Sequence, residues 1–276
     1  MPAVVRTLRP GDIPSAMELS TAAKWNQTPE DWARLLRLAQ EGFRCVEVAG
    51  KIVATASLLP YETRLAWIGM VLTRPEYRRQ GYARELMEDL IVRAEARKIR
   101  TLKLDATDEG RPLYESLGFV VEEMVERWGR SADAVAAQDY ADDAQMSDDL
   151  FDMDRAAFGV SRRDLLELLL ESGRCSASPH GYVLSRPGAT ARHLGPCVAS
   201  SEEEAGLLIT NHLGNELVDG TSRGWYWDLL PANAGAARCA EKLGFMRRRT
   251  LWRMRRGEMM ENNDAMVYAI AGFEWG

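Results

Sequence analysis

Cysteine and histidine are scarce in this chain. Four cysteines (Cys45, Cys175, Cys197 and Cys239) and three histidines (His180, His193 and His212) are scattered over 276 residues, and no two cysteines form a CxxC pair. That scarcity argues against a disulfide framework and a zinc-type centre, so reduced, buried thiols and no metal are expected. Long apolar runs are missing too: none approaches the roughly 20 residues of a membrane span. The start, Met1-Pro2-Ala3-Val4-Val5-Arg6, lacks the basic and apolar regions of a signal peptide. A cytoplasmic protein without a membrane partner is expected. Basic excess is the third absence. Lys plus Arg is 35 against 41 for Asp plus Glu, a formal charge of −6. This disfavours a general nucleic-acid partner and mildly favours small cations.

What is present suits an ordinary globular protein, with 46% hydrophobic and 28% charged residues. The length fits two domains of about 130 residues each. Alternation predicts a first strand over Val4–Leu8. Helices follow over Ile13–Ala23 and Pro29–Ala39, the second capped by Thr28. Three strands are expected at Arg44–Val48, Ile52–Leu59 and Ala66–Leu72, with turns at Gly50-Lys51 and Pro60–Arg64. A helix over Ala83–Arg97 carries one apolar stripe: Ala83, Leu86, Met87, Leu90, Ile91 and Ala94. A strand (Thr101–Ala106), a short helix (Arg111–Leu117) and a strand (Phe119–Arg127) complete the first unit.

The polar stretch Arg130–Asp149 is expected to connect a first domain, 1–130, to a second, 131–276. Two landmarks recur across it. Trp25–Trp32 has a counterpart in Phe158–Leu165, and Leu113–Phe119 has one in Cys239–Phe245. Matched landmarks in the same order point to a tandem repeat of one fold.

The stretch richest in chemistry is Arg78-Arg79-Gln80-Gly81-Tyr82-Ala83, which opens the long helix. Free N–H groups and the helix dipole make such a turn an anion site, although a solvated basic turn would look the same. Arg74, Arg78 and Arg79 add positive charge. Neither a Walker loop nor a GxGxxG fingerprint is present.

Arg78-x-x-Gly81-x-Ala83 resembles the pyrophosphate-binding signature of the GNAT N-acetyltransferases. Arg111–Phe119 resembles the later Leu-Tyr-x-x-Leu-Gly-Phe element of the same family, in the same order along the chain. The resemblance covers about Val4 to Trp128. The second half is similar to the partner domain of tandem GNAT proteins, through Asp154–Gly159 and Asn233–Ala237. It implies an α/β (α+β) fold of two GNAT-like domains, each a mixed, mostly antiparallel sheet with a splayed parallel strand pair flanked by helices. It implies acetyl-CoA as acyl donor and no metal. Backbone amides of Arg79, Gly81, Tyr82 and Ala83 would hold the pyrophosphate, in a segment that includes Arg78 and Gln80. Main-chain groups of Met70, Val71 and Leu72 would pair with the pantetheine arm. Arg111 and Thr107 would lie near the cofactor, Thr107 standing where the family often has Asn.

Tyr114 takes the place of the family's general acid; a core tyrosine is the plain alternative. The family often carries a base Glu on the pantetheine strand, but Ala66–Leu72 contains no carboxylate. Asp105, Glu62 and a water chain remain as candidates. Trp25, Asn26 and Gln27, between the first two helices, would border the acceptor amine, although Trp25 could simply pack a helix.

In the second half, the place of the phosphate loop holds Ser200-Ser201-Glu202-Glu203-Glu204 and the place of Tyr114 holds Ala240. The second domain is therefore expected to be degenerate. The overall expectation is acetyl transfer to the primary amine of a small molecule, with an oligomer left open. A non-catalytic acyl-CoA-binding module and a protein N-acetyltransferase are the alternatives.

Overall fold

A computed structural model describes residues 2–131, 145–215 and 224–276. Most of the expected connector therefore lies outside the described residues. The chain divides into two compact units. One comprises Met1–Glu122, Met254–Met259 and Glu274–Gly276; the other comprises Glu123–Arg253 and Met260–Phe273.

In the first unit, β1 (Val4–Thr7), α1 (Ile13–Ala22) and α2 (Pro29–Ala39) are followed by β2 (Phe43–Val48), β3 (Lys51–Tyr61) and β4 (Leu65–Thr73). Then come α3 (Tyr82–Ala96), β5 (Thr101–Ala106), α4 (Arg111–Ser116) and the start of β6 (Val120–Arg130). The strands lie in the order β1-β2-β3-β4-β5. Neighbours are antiparallel up to β4, and β4 then runs parallel to β5. Pro60, expected in a turn, remains in β3. The reversal occurs at Glu62–Arg64, with Glu62 at φ 56°. The stripe expected on α3 is buried from Leu86 to Ala94, and Trp32 of α2 stacks on Phe43 of β2 with ring centroids 5.3 Å apart. These contacts place apolar helix faces against the sheet.

The second unit repeats the plan. It has α5 (Asp148–Phe158), α6 (Arg163–Leu170), β7 (Arg174–Ser178), β8 (Gly181–Arg186) and β9 (Arg192–Ala199). Next are α7 (Glu202–Asn215), β10 (Trp225–Leu229), α8 (Ala234–Lys242), most of β11 (Met246–Gly257) and β12 (Val267–Ala269). The β7-β8-β9 strands are antiparallel, and β9 runs parallel to β10 as β4 does to β5. The ends of α4 and α8 match bond for bond. Phe119 N–H donates to the Tyr114 carbonyl at 3.1 Å, and Phe245 N–H to the Ala240 carbonyl at 2.9 Å. Gly118 (φ 84°) and Gly244 (φ 77°) supply the left-handed residue that both endings need. The Leu-Gly-Phe landmark is thus a helix stop, used twice.

The four cysteines are buried and free. Among the described residues, no helix is long and apolar enough to cross a membrane.

Candidate active site

The site is built where β4 and β5 part. Their parallel ladder runs from Leu65↔Thr101 to Trp67↔Lys103 and stops. Just beyond, β4 bulges: Ser57 pairs with Gly69 and Thr55 with Leu72, so β4 carries one extra residue there. Met70, in the bulge, has a φ of 51°, left-handed for a side chain that ordinarily avoids it. Thr55 Oγ1 donates to the Met70 carbonyl at 2.8 Å and holds that conformation. Met70's carbonyl is therefore engaged within the unit. Of the three residues expected to pair with pantetheine, Val71 is the half-exposed one. Among the described residues, the β5-facing edge from Ile68 onward has no strand partner.

The turn before α3 follows directly. Arg79 (φ 61°) and Gly81 (φ 88°) are both left-handed, and Gly81 is the helix N-cap, with no side chain to satisfy the first N–H groups. A Cβ built on Gly81 meets nothing within 4 Å, so the turn is open above the donors. Arg79, Gln80 and Gly81 are exposed, and Tyr82 and Ala83 half-buried. Arg78 reaches Glu109 at 3.5 Å on the surface. Free helix-end amides, a bare glycine and nearby guanidinium groups suit a phosphate-type anion.

Arg74 does not belong to this cluster. It is buried, donates to the Ile52 carbonyl at 2.7 Å and pairs with Glu18 at 2.7 Å. It ties the end of β4 to α1, so its charge is already neutralised.

Tyr114 lies on α4, 8% exposed, with its ring edge-on to Phe119 at 6.2 Å. Burial raises its phenol well above the ordinary value, so it stays protonated at neutral pH. Thr107 Oγ1 accepts from Gly110 N–H at 3.2 Å and helps form the turn into α4. Arg111 pairs with Glu115 at 2.6 Å on the same helix.

Extending the β4–β5 register carries Asp105 to the level of Gly69, at the mouth of the splay. Glu62 is elsewhere. It caps the β3–β4 turn, and β4 runs five residues from Leu65 to Met70, so the bulge is roughly 17 Å away at about 3.3 Å per residue. Between α1 and α2, Trp25 is half-buried while Asn26 and Gln27 are buried. Among the described residues, Gln27 Oε1 is buried without a hydrogen-bond partner.

The second unit has the same parallel pair with different contents. Beyond Trp227↔Leu194, β12 pairs with β9 (Val267↔Val198, Ala269↔Cys197), and Ile270 N–H donates to the Asp228 carbonyl. The chain itself thus fills that splay. Asn233, part of the Asn233–Ala237 resemblance, is consumed structurally. Its Oδ1 caps α8 through Gly235 and Ala236, and its Nδ2 donates to the carbonyls of Ala265 and Val267. At the start of α7, Glu202 pairs with Arg238, which holds the carboxyl below its usual range. Sequence reasoning missed β12, because a three-residue strand leaves no periodicity to detect.

Residues 13–119 match the family model described as acetyltransferase (GNAT) family, and residues 150–269 match one described as acetyltransferase (GNAT) domain. The chain belongs to the GNAT acetyltransferase family. It is an acyltransferase with two GNAT domains. The chain is 28% identical to an uncharacterized N-acetyltransferase of Bacillus subtilis, YitH, over 72% of this chain and 73% of that one. It is 26% identical to holothin acyltransferase of a Pseudoalteromonas strain, over 94% and 90%. Among solved structures, an acetyltransferase-like protein of Pyrococcus horikoshii superposes with a TM-score of 0.84 at 23% identity, covering 99% of this chain and 96% of that one. A tandem GNAT protein from the clavulanic acid pathway gives 0.66 at 15% identity, covering 95% and 100%. At these identities the structural matches speak for the fold alone.

Proposed function

We propose that the first GNAT domain transfers an acetyl group from acetyl-CoA to the primary amine of a small molecule, and that the second domain performs no transfer. One observation carries this reading: the splay and helix N-terminus are open in the first domain and filled in the second. Acetyl-CoA fits the first on chemical grounds. The uncapped amides of Gly81, Tyr82 and Ala83, with Arg79 beside them, suit its pyrophosphate, and the unpartnered edge at Val71 suits its amide-bearing arm. In this reading Gln80, Thr107 and Arg111 would line the rim of this region.

The chemistry is direct attack. A neutral amine nitrogen adds to the thioester carbonyl, a C–N bond forms, and the carbonyl electrons move to oxygen. As the intermediate collapses, the C–S bond breaks and the Tyr114 phenol gives its proton to the departing thiolate. A main-chain N–H at the bulge stabilises the oxyanion. The orphaned Gln27 Oε1, beside Trp25 and Asn26, favours an acceptor that brings N–H donors, because an unmatched buried acceptor is costly. The net negative charge favours cationic amines such as polyamines, amino sugars or basic amino acids. The relative named holothin acyltransferase, matched over both domains, supports acyl transfer to a defined acceptor over a purely regulatory role. CoA release with a panel of such amines tests the reading; binding of acetyl-CoA without turnover of any amine would contradict it.

A further inference from the structure

β3 brings two hydroxyls, those of Thr55 and Ser57, to the bulge in β4, and both residues are fully buried. They stand two residues apart on one strand, so they share a face of the sheet. Their surroundings are alike, but their hydrogen bonding is not. Thr55 Oγ1 donates to the Met70 carbonyl at 2.8 Å. Among the described residues, Ser57 Oγ has no hydrogen-bond partner.

The bond from Thr55 does what the ladder cannot. Thr55 pairs with Leu72 and Ser57 with Gly69, which leaves Met70 and Val71 without partner residues on β3. On the other side, the β4–β5 ladder ends at Trp67↔Lys103. Met70 is 1% exposed, so its carbonyl is shielded from solvent, and a buried carbonyl needs a partner. Its φ of 51° adds a second demand. A bulky side chain stays in that region only where the surrounding structure over-determines it. The preceding residue is fixed as well. A Cβ built on Gly69 would lie 2.9 Å from the Cα and carbonyl oxygen of Glu274, whose backbone packs against β4 within the first unit. Gly69 thus anchors one side of the bulge and the Thr55 hydroxyl the other.

We propose that Thr55 is a positioning residue for acetyl transfer: its hydroxyl holds the Met70 bulge in the shape that aims main-chain N–H groups at the thioester oxygen. This deepens the acetyl-transfer reading above and rests on it. Thr55 touches neither substrate nor reacting atoms, and acts through the Met70 backbone. Without the hydroxyl, the carbonyl loses its partner and the bulge relaxes toward ordinary strand geometry. The donors at Met70 and Val71 then move away from the oxyanion. The Gly81 turn, which suits the pyrophosphate, stays as it is.

The test uses the full chain, acetyl-CoA and the amine panel, with the melting temperature of each variant read alongside. Thr55→Val keeps the shape and removes the hydroxyl. Its kcat should fall roughly 10–100-fold, the scale of a misplaced donor, while acetyl-CoA affinity in calorimetry stays within about threefold. Thr55→Ser keeps a hydroxyl and should keep most of the rate. Ser57→Ala removes the hydroxyl that holds nothing and should turn over as the wild type does. A further arm relieves the bulge itself. Glycine takes a left-handed φ freely, so in a Met70→Gly background the cost of Thr55→Val should shrink. Wild-type kcat in a folded Thr55→Val, or equal losses in Thr55→Val and Thr55→Ser, would overturn the assignment and leave the acetyltransferase reading standing. So would a Ser57→Ala loss that matches Thr55→Val, or a Thr55→Val loss just as large in the Met70→Gly background. A wild-type chain that binds acetyl-CoA but acetylates no amine would overturn both.

Discussion

The two GNAT domains share a frame and differ in what occupies its centre. Each has a parallel strand pair joined through a helix and then a short helix ended by a left-handed glycine. In the first, the pair opens at a bulge and the next helix begins on a bare Gly81. In the second, β12 pairs along the opened strand, and Glu202 with Arg238 occupies the helix start. The lesson is that a binding cleft in this fold is a missing strand and a missing cap. Supplying both from the chain itself turns the site into core. The second domain also shelters charged groups. Arg127 binds Asp228 through two hydrogen bonds, and His193 lies buried nearby.

The comparison breaks most sharply at Tyr114, whose counterpart is the buried Ala240. Tyr114→Phe keeps the ring and its packing on Phe119 but removes the proton. Turnover should fall by roughly 10²–10⁴-fold in kcat, with acetyl-CoA affinity unmoved, as measured in single turnover. An unchanged chemical step would make Tyr114 a core residue like Ala240.

Next in size is Gly81→Asp, which gives the first domain an acidic helix start like that of the second. Acetyl-CoA affinity should weaken by at least about 100-fold in calorimetry, since one like charge near the pyrophosphate and the loss of the open turn act together. Binding at wild-type strength would remove the Arg78–Ala83 turn from the account.

A third expectation concerns pH and the second domain alone. Burial, then the Arg186 charge, lowers the His193 pKa to about 3, so the imidazole stays neutral although Asp228 is 3.9 Å away. A group depressed in the folded state stabilises above its unfolded pKa and loses that contribution as pH falls. Between about pH 6.5 and pH 3, stability should drop by an amount of the order of a few kcal/mol. Urea midpoints of wild type and His193→Gln should converge as the pH falls through that window. Parallel curves would show that His193 charges freely in the fold.

The smallest effect is expected from Glu202→Ala. It clears the helix start of the second domain but leaves β12 in place, so no second acetyl-CoA should bind. A new site would mean that the ion pair, and not the strand, is what closes this domain.

Much of this frame was legible in the sequence, and the reasons are local. Pro29–Ala39 announces itself by its cap and first-turn proline, and α3 by its apolar stripe. The two Leu-Gly-Phe stops show because a left-handed glycine after a helix leaves a compact mark. The Arg78–Ala83 turn was visible because uncapped amides and a glycine at a helix start are contiguous in the chain. What was not legible depends on distant partners. Arg74 looked like part of a basic cluster, but Ile52 and Glu18 claim it. Asn233 showed only as part of a family-like segment, and its amide is taken by residues 265–267. β12 has too few residues to show alternation, and its role depends on Val198 and Cys197, some 70 residues earlier.

Titration of the full chain with acetyl-CoA in a calorimeter tests the contrast between the domains most directly. The open first domain and the strand-filled second domain predict one site per 276-residue chain. Two equivalent sites would contradict the account, because β12 and the Glu202–Arg238 pair would then have closed nothing.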